Sequence, residues 1–183
     1  MIASLKQKKI NLLTVFLIVF CFCGNAQSPE DLKAQMVKDW ERAKAYTQEY
    51  LNAMPADKYS FKATDSVRSF AQQMIHLSQG TVFLVSTGSG MPPIFGERDI
   101  EHSVGAQSKD SVTYFANASY DYAINTIKGL DVSKFTETAK AFGMENQRWV
   151  WLMKAFEHQT HHRGQTTIYI RLAGLKPPGE KLF

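Results

Sequence analysis

His158-Gln159-Thr160-His161-His162-Arg163-Gly164-Gln165 is the stretch that decides how this chain is read, because it holds three of the five histidines. It sits within a proline-free segment, residues 145–173, that reads as a helix and is stopped by Gly174 with Pro177-Pro178 beyond. On a helix, residues i and i+4 lie one above the other, so His158 and His162 share a face. At 100° per residue His162 lies about 40° from His158, while Gln165, Tyr169 and Trp151 lie within about 20° of it. These residues form one polar and aromatic stripe. Trp149, Met153, Phe156 and Ile170 take the opposite side and are expected to pack against the rest of the protein. His161, at about −60°, flanks the stripe. Paired histidines on one helix face are either solvent-facing, hydrogen-bonded inside the fold, or two ligands of a metal ion. Spacing alone leaves all three open, since a catalytic metal usually needs three protein ligands.

Three further helices precede this one. The first is expected over 28–54, with Ser28 as N-cap, Pro29 as first helical residue, early acids Glu30 and Asp31, and Pro55 as terminator. Leu32, Met36, Trp40, Ala43 and Tyr50 approximate its apolar period. The second is expected over 65–87, capped by Thr64 or Asp65, with Val67, Phe70, Met74, Leu77, Leu84 and Val85 on its apolar side; Gly88 to Pro93 breaks it. The third is expected over 108–128, burying Val112, Phe115, Ala116, Ser119, Tyr122, Ala123 and Ile127, with Gly129 as its stop. Residues 88–106 and 131–143 carry no strong period, and no repeat or strand alternation is visible. The expected fold is therefore all-α: a four-helix bundle, with short connections favouring antiparallel neighbours.

The N-terminal residues have the pattern of an export signal. Lys6, Lys8 and Lys9 precede an apolar run from Leu12 to Cys23, and Gly24 and Ala26 supply small residues for cleavage before Gln27. The run is shorter than the about 20 residues needed to cross a bilayer. A lipid-anchored reading of Cys21 or Cys23 is weakened by Phe20 and Phe22, where small residues are expected. Residues 1–26 are thus assigned to a signal peptide and 27–183 to one domain. Cleavage would lower the net charge of +4 to about +1 and remove both cysteines. The mature chain then offers no thiolate ligand or nucleophile, and its near-neutral charge with no basic stripe argues against a nucleic-acid partner.

The eight-residue stretch, followed by Tyr169-Ile170-Arg171-Leu172-Ala173-Gly174 and Pro177-Pro178, resembles the C-terminal signature of the DinB-like family. The segment from Met54 through Thr64, Val67-Arg68-Ser69-Phe70 and on to His76 is similar to that family's second-helix region. The resemblance spans nearly all of residues 27–183. It implies a four-helix bundle holding a divalent metal through three histidines, here His76, His158 and His162; His161 matches a position that is not normally a ligand. Arg163 and Gln165 are expected to support the site. Gly164, which costs about 1 kcal/mol relative to alanine in a helix, is expected where a neighbouring helix comes close.

Three neutral imidazoles suit several first-row metals, and zinc or nickel is expected. No Glu-x-x-His pair accompanies the histidines, which disfavours a di-iron carboxylate site. The function expected is that of an exported metal-dependent enzyme activating a water or a thiol, hence a hydrolase or a thiol transferase, on a small-molecule substrate. The alternative is a non-catalytic metal- or ligand-binding bundle, which a fourth protein ligand would favour. Export counts against the thiol reading, because low-molecular-weight thiols are mainly cytoplasmic. Asp99, Glu101 and Asp121 are candidate bases only as carboxylates, and a homodimer is compatible with such a bundle.

Overall fold

A computed structural model describes residues 28–96 and 99–183; the expected signal peptide lies outside them. Four long helices account for most of these residues: α1 (Pro29–Ala53), α2 (Phe70–Ser89), α3 (Lys109–Gly129) and α4 (Arg148–Leu172). Helix α1 starts as its sequence predicts. Ser28 Oγ accepts from the Asp31 N–H at 3.1 Å, and the Asp31 carboxylate closes a capping box on the Ser28 N–H.

Helix α2 starts later than the expected Asp65. Ser69 is its N-cap, and Gln72 completes the box: Ser69 Oγ accepts from Gln72 N–H at 3.2 Å while Gln72 Oε1 accepts from Ser69 N–H at 2.9 Å. The choice is made by tertiary hydrogen bonds. The Phe70 and Ala71 N–H groups, which a helix start leaves unpaired, donate to the carbonyls of Phe61 and Tyr59, each at 2.9 Å. Val67 therefore lies outside the helix, 37% exposed, and not on its apolar side.

Helix α3 follows its predicted limits with Ser108 as N-cap, but Gly129 belongs to the helix and Leu130 caps it. Tyr120 and Ile124 are buried, whereas Phe115 and Tyr122 sit at the edge of the core. Helix α4 begins at Arg148 rather than at 145, because the preceding residues form an antiparallel hairpin, β1 (Thr138–Ala141) with β2 (Met144–Gln147). Strands of this length present too few alternating residues to register as a period.

The packed pairs are α2 with α3 and α4, and α1 with α3 and α4, giving the ring order α1, α3, α2, α4. Consecutive helices α1 and α2, and likewise α3 and α4, are thus not the principal neighbours, and the chain between helices is correspondingly long rather than short. Trp40, Leu51, Phe70, Met74, Leu77, Tyr120, Ile127 and Leu152 are among the fully buried side chains of one continuous core. A polar chain threads it: Thr47 Oγ1 and Tyr120 OH lie 2.6 Å apart, Tyr120 OH donates to Gln159 Oε1 at 2.8 Å, and Arg163 Nη1 donates to the same oxygen at 2.9 Å. Among the described residues no helix is long and apolar enough to cross a membrane.

The inward side of α4 takes in most of the histidine stripe and extends beyond it through Leu152, Gln159, Arg163 and Thr166. Trp151, Ala155, His162 and Tyr169 are buried, whereas Met153, on the side expected to pack, is 43% exposed, and only Ile170 of that side is fully buried. The polar stripe faces α2: Gln73 meets Gln165, Gly80 meets His158 and Gly88 meets Leu152.

Candidate metal centre

His76 from the middle of α2 and His158 and His162 from one face of α4 come together, with one ring nitrogen of each within 4.8 Å of the others. The ring centroids are 4.4 Å apart for His158 and His162, 4.5 Å for His76 and His162, and 5.4 Å for His76 and His158. Among the described residues no cysteine, carboxylate or fourth histidine joins this group.

Each imidazole is set by its surroundings. His76 Nδ1 lies 2.8 Å from Glu101 Oε2. A carboxylate only accepts, so Nδ1 carries the proton and Nε2 keeps its lone pair for a cation. Glu101 is itself fixed: Arg68 Nε donates to its Oε1 at 2.5 Å, its N–H donates to Gln79 Oε1 at 3.0 Å, and its carbonyl accepts from Gln107 Nε2 at 2.7 Å. His162 Nδ1 lies 3.2 Å from Gln165 Oε1 and 2.6 Å from Gln73 Nε2; donation from Nδ1 to Gln165 Oε1 leaves the Nε2 lone pair free, whereas accepting from the Gln73 amide places the proton on Nε2. Gln165 Nε2 in turn lies 3.0 Å from His161 Nε2.

His158 is held by shape. Its ring lies close against Gly80, where a β-carbon would fall 2.1 Å from Cε1 and 2.6 Å from Nε2. Its Nδ1 is buried without a hydrogen-bond partner, an uncommon condition for a polar atom in a protein interior. The close helix approach thus falls at Gly80. Gly164 has no atom within 4 Å of where its β-carbon would be, so the expectation of a close neighbour there is corrected.

Burial first, and then the nearby His76, His161 and Arg68, push His158 down from its ordinary 6.5 to about 4. Burial, followed by His158, His76 and His161, pushes His162 down to about 3, against a small opposing contribution from the Gln165 hydrogen bond. Both rings are therefore neutral at physiological pH, the form in which imidazole binds metal. Three imidazoles with no fourth protein ligand among the described residues, two of them held neutral and one of these carrying an orphaned buried nitrogen, fit a divalent cation with an open coordination position.

The remaining sequence candidates fall elsewhere. His161 is exposed beside the group, its ring 4.9 Å from that of His162. His102, the remaining one of the chain's five histidines, is exposed and paired with Asp99 at 2.8 Å. Asp121 is bound by Lys44 at 2.6 Å on the far side of α3 and takes no part. Glu101 touches the centre only through His76. Spacing could have suggested Gly80, one turn beyond His76, and Gln73, nearly one turn before it.

Two clefts open on the group. One, of about 820 Å³, is polar and includes Arg68, Gln72, Gln73, His76 and Glu101. The other, of about 740 Å³, places His76, Gly80 and His158 against Val82, Phe83 and Phe142. A larger cavity of about 860 Å³ between α1, α4 and the C-terminal segment contains none of the three histidines.

Fold and site together define a helical-bundle protein with a three-histidine group able to hold a metal ion. The DinB family model matches residues 26–182, and the chain belongs to the DinB family. Its fold is similar to the crystal structure of a DinB-like protein from Bacillus cereus, at 20% identity and a TM-score of 0.68 over 80% of this chain and 95% of that one. It is likewise similar to a DinB-like protein, YjoA, from Bacillus subtilis, at 17% identity and a TM-score of 0.64 over 81% of this chain and 96% of that one. No curated protein sequence matches the chain significantly.

The two glycines make opposite predictions. Gly164→Ala should stabilise the protein by up to about 1 kcal/mol, read by urea unfolding, and leave zinc binding unchanged. Gly80→Ala should displace His158 and weaken zinc binding at least tenfold while the far-ultraviolet helical signal persists. Acid provides a separate check. Between about pH 4 and 6.5 the unfolded chain binds protons at His158 and His162 that the folded chain refuses, so stability of the metal-free protein rises with pH through that window. Its melting temperature should fall between pH 7 and 5, and the fall should be shallower in His158→Gln and His162→Gln.

Proposed function

We propose that this DinB-family protein is an exported metal-dependent enzyme that uses His76, His158 and His162 to hold a divalent ion, zinc or nickel, and acts on a small-molecule substrate. The observation that carries the reading is the open group itself: three imidazole nitrogens within 4.8 Å of one another and, among the described residues, no fourth protein ligand. A structural zinc site is usually closed by four protein ligands, whereas a catalytic one leaves a position for water or substrate.

A divalent ion held there would supply a Lewis acid that brings the pKa of a bound water or thiol towards about 7. The chain's own residues prepare and shelter that position. Glu101 holds the His76 ring in one orientation and, being negative, raises its basicity as a ligand. Arg68 secures Glu101 from the other side, so each carboxylate oxygen already carries one hydrogen bond, and we assign Glu101 an orienting role. Gln165 and Gln73 fix the His162 ring. The polar cleft gives water access, and the apolar one can exclude it from a bound substrate.

The reaction is either a hydrolysis, with activated water, or a transfer to a small thiol. Export through residues 1–26 favours hydrolysis, since thiol cosubstrates are mainly cytoplasmic. We take the pairs α2 with α4 and α1 with α3 to run antiparallel, which the meetings of Gln73 with Gln165 and Gly88 with Leu152, and of Glu41 with Lys128 and Thr47 with Tyr120, support; Trp40 with Phe156, Thr47 with Arg163 and Tyr50 with Thr167 instead rise together along α1 and α4, as in a parallel pair.

Zinc- and nickel-loaded protein should turn over members of an ester, amide and thiol–electrophile panel. Activity should disappear with a chelator and in His76→Ala, and Glu101→Gln should weaken metal affinity about 10- to 100-fold. A protein that binds one metal ion per chain at these histidines yet is inert across the panel would be a non-catalytic metal-binding bundle instead.

A further inference from the structure

The turn between β1 and β2 carries a residue that folding alone does not favour. Ala141 pairs with Met144, so the loop is only Phe142-Gly143, and both have positive φ, +52° and +73°. This is the type I′ hairpin turn, whose first position favours asparagine, aspartate or glycine. Phe142 is the only non-glycine residue with positive φ among those described. A bulky side chain there brings its β-carbon against the backbone, a strain that tends to persist where function uses it.

The ring does not recover that cost in the core, because Phe142 is 71% exposed. It leans instead on Phe83 of α2, which is itself 44% exposed, with ring centroids 5.0 Å apart. Both rings line the apolar cleft of about 740 Å³ that also contains His76 and His158. The hairpin is fastened to the helix that carries His158: Trp151 Nε1 donates to the Ala139 carbonyl at 3.0 Å, and the Arg148 N–H donates to the Glu137 carbonyl at 2.8 Å. The Phe142 ring is thereby held at a set distance from the histidines. Asp99, on the same cleft, disfavours an anionic body there.

We infer that Phe142 and Phe83 form the subsite for the body of the substrate, and that the substrate is a small molecule with an uncharged aromatic or flat apolar body and one oxygen or sulphur donor that reaches the metal. The inference rests on the reading of the three histidines as an open metal centre. A flat apolar group against two exposed phenyl rings loses water from three surfaces at once, and offset or edge contacts between rings add to the gain.

Two hydroxamates with the same metal-binding head separate body recognition from head binding. On the zinc-loaded full chain, benzohydroxamate should bind at least tenfold more tightly than acetohydroxamate. In Phe142→Asn the preference should shrink to within about threefold, with zinc content and acetohydroxamate affinity retained and the melting temperature equal or higher, because asparagine suits the turn. A preference that survives Phe142→Asn overturns the inference and leaves the metal reading standing. A melting temperature lowered by several degrees also overturns it, because the ring would then serve packing. Zinc-loaded wild type that binds neither hydroxamate overturns the open-centre reading and this inference with it. Failure to bind zinc removes both at their common root.

Discussion

The close contact between His158 and Gly80 is the constraint on which the rest of the site depends. Without a β-carbon at position 80 the imidazole lies directly against the backbone of α2, and this brings the stripe of α4 close enough for His76 to meet both of its histidines. The same contact buries His158 and helps hold it neutral, so geometry and protonation state follow from one packing decision. A second glycine, Gly88, meets Arg148 and Leu152 farther along and keeps the two helices close over that length. The cost of glycine in a helix interior is offset by what the missing side chain admits.

Around this seam the long connections do different work. The segment between α2 and α3 delivers Glu101 to His76, and the turn before α2 delivers Arg68 to Glu101. The hairpin before α4 delivers Phe142 to the apolar cleft. Two histidines on a single helix would hold a cation poorly. Three imidazoles, two of them fixed by hydrogen bonds from neighbouring segments, form a donor set prepared before any ion arrives. The polar network of Thr47, Tyr120, Gln159 and Arg163 lies beside the histidine stripe of α4, so the helix carries a hydrogen-bonded polar face as well as the one bearing the three-histidine group.

Local signals were legible where local chemistry decides. Ser28 with Pro29 marks the start of α1, Ser108 the start of α3, and Gly174 follows the end of α4. The i, i+4 spacing put His158 and His162 on one face, and only the resemblance to the DinB-like family brought His76 to them. Legibility failed where tertiary contacts choose between local options. Thr64, Asp65 and Ser69 can all cap a helix, and the carbonyls of Tyr59 and Phe61 select Ser69. The partner of His76 was hidden because Glu101 is distant in sequence and lies in an aperiodic segment. Gly164 drew attention by standing inside the signature, whereas Gly80, the glycine that matters, stands outside it. The burial of the polar stripe was obscured because an inward-facing site inverts the usual rule that the apolar face packs.

X-ray absorption at the zinc edge of the loaded protein tests the three-histidine centre most directly. Three imidazole nitrogens at about 2.0–2.1 Å with one further light-atom ligand are expected, falling to two imidazoles or to loss of bound zinc in His158→Ala. A spectrum with four protein ligands, or one unchanged by removing His158, would contradict the open three-histidine centre on which the function proposed here is built.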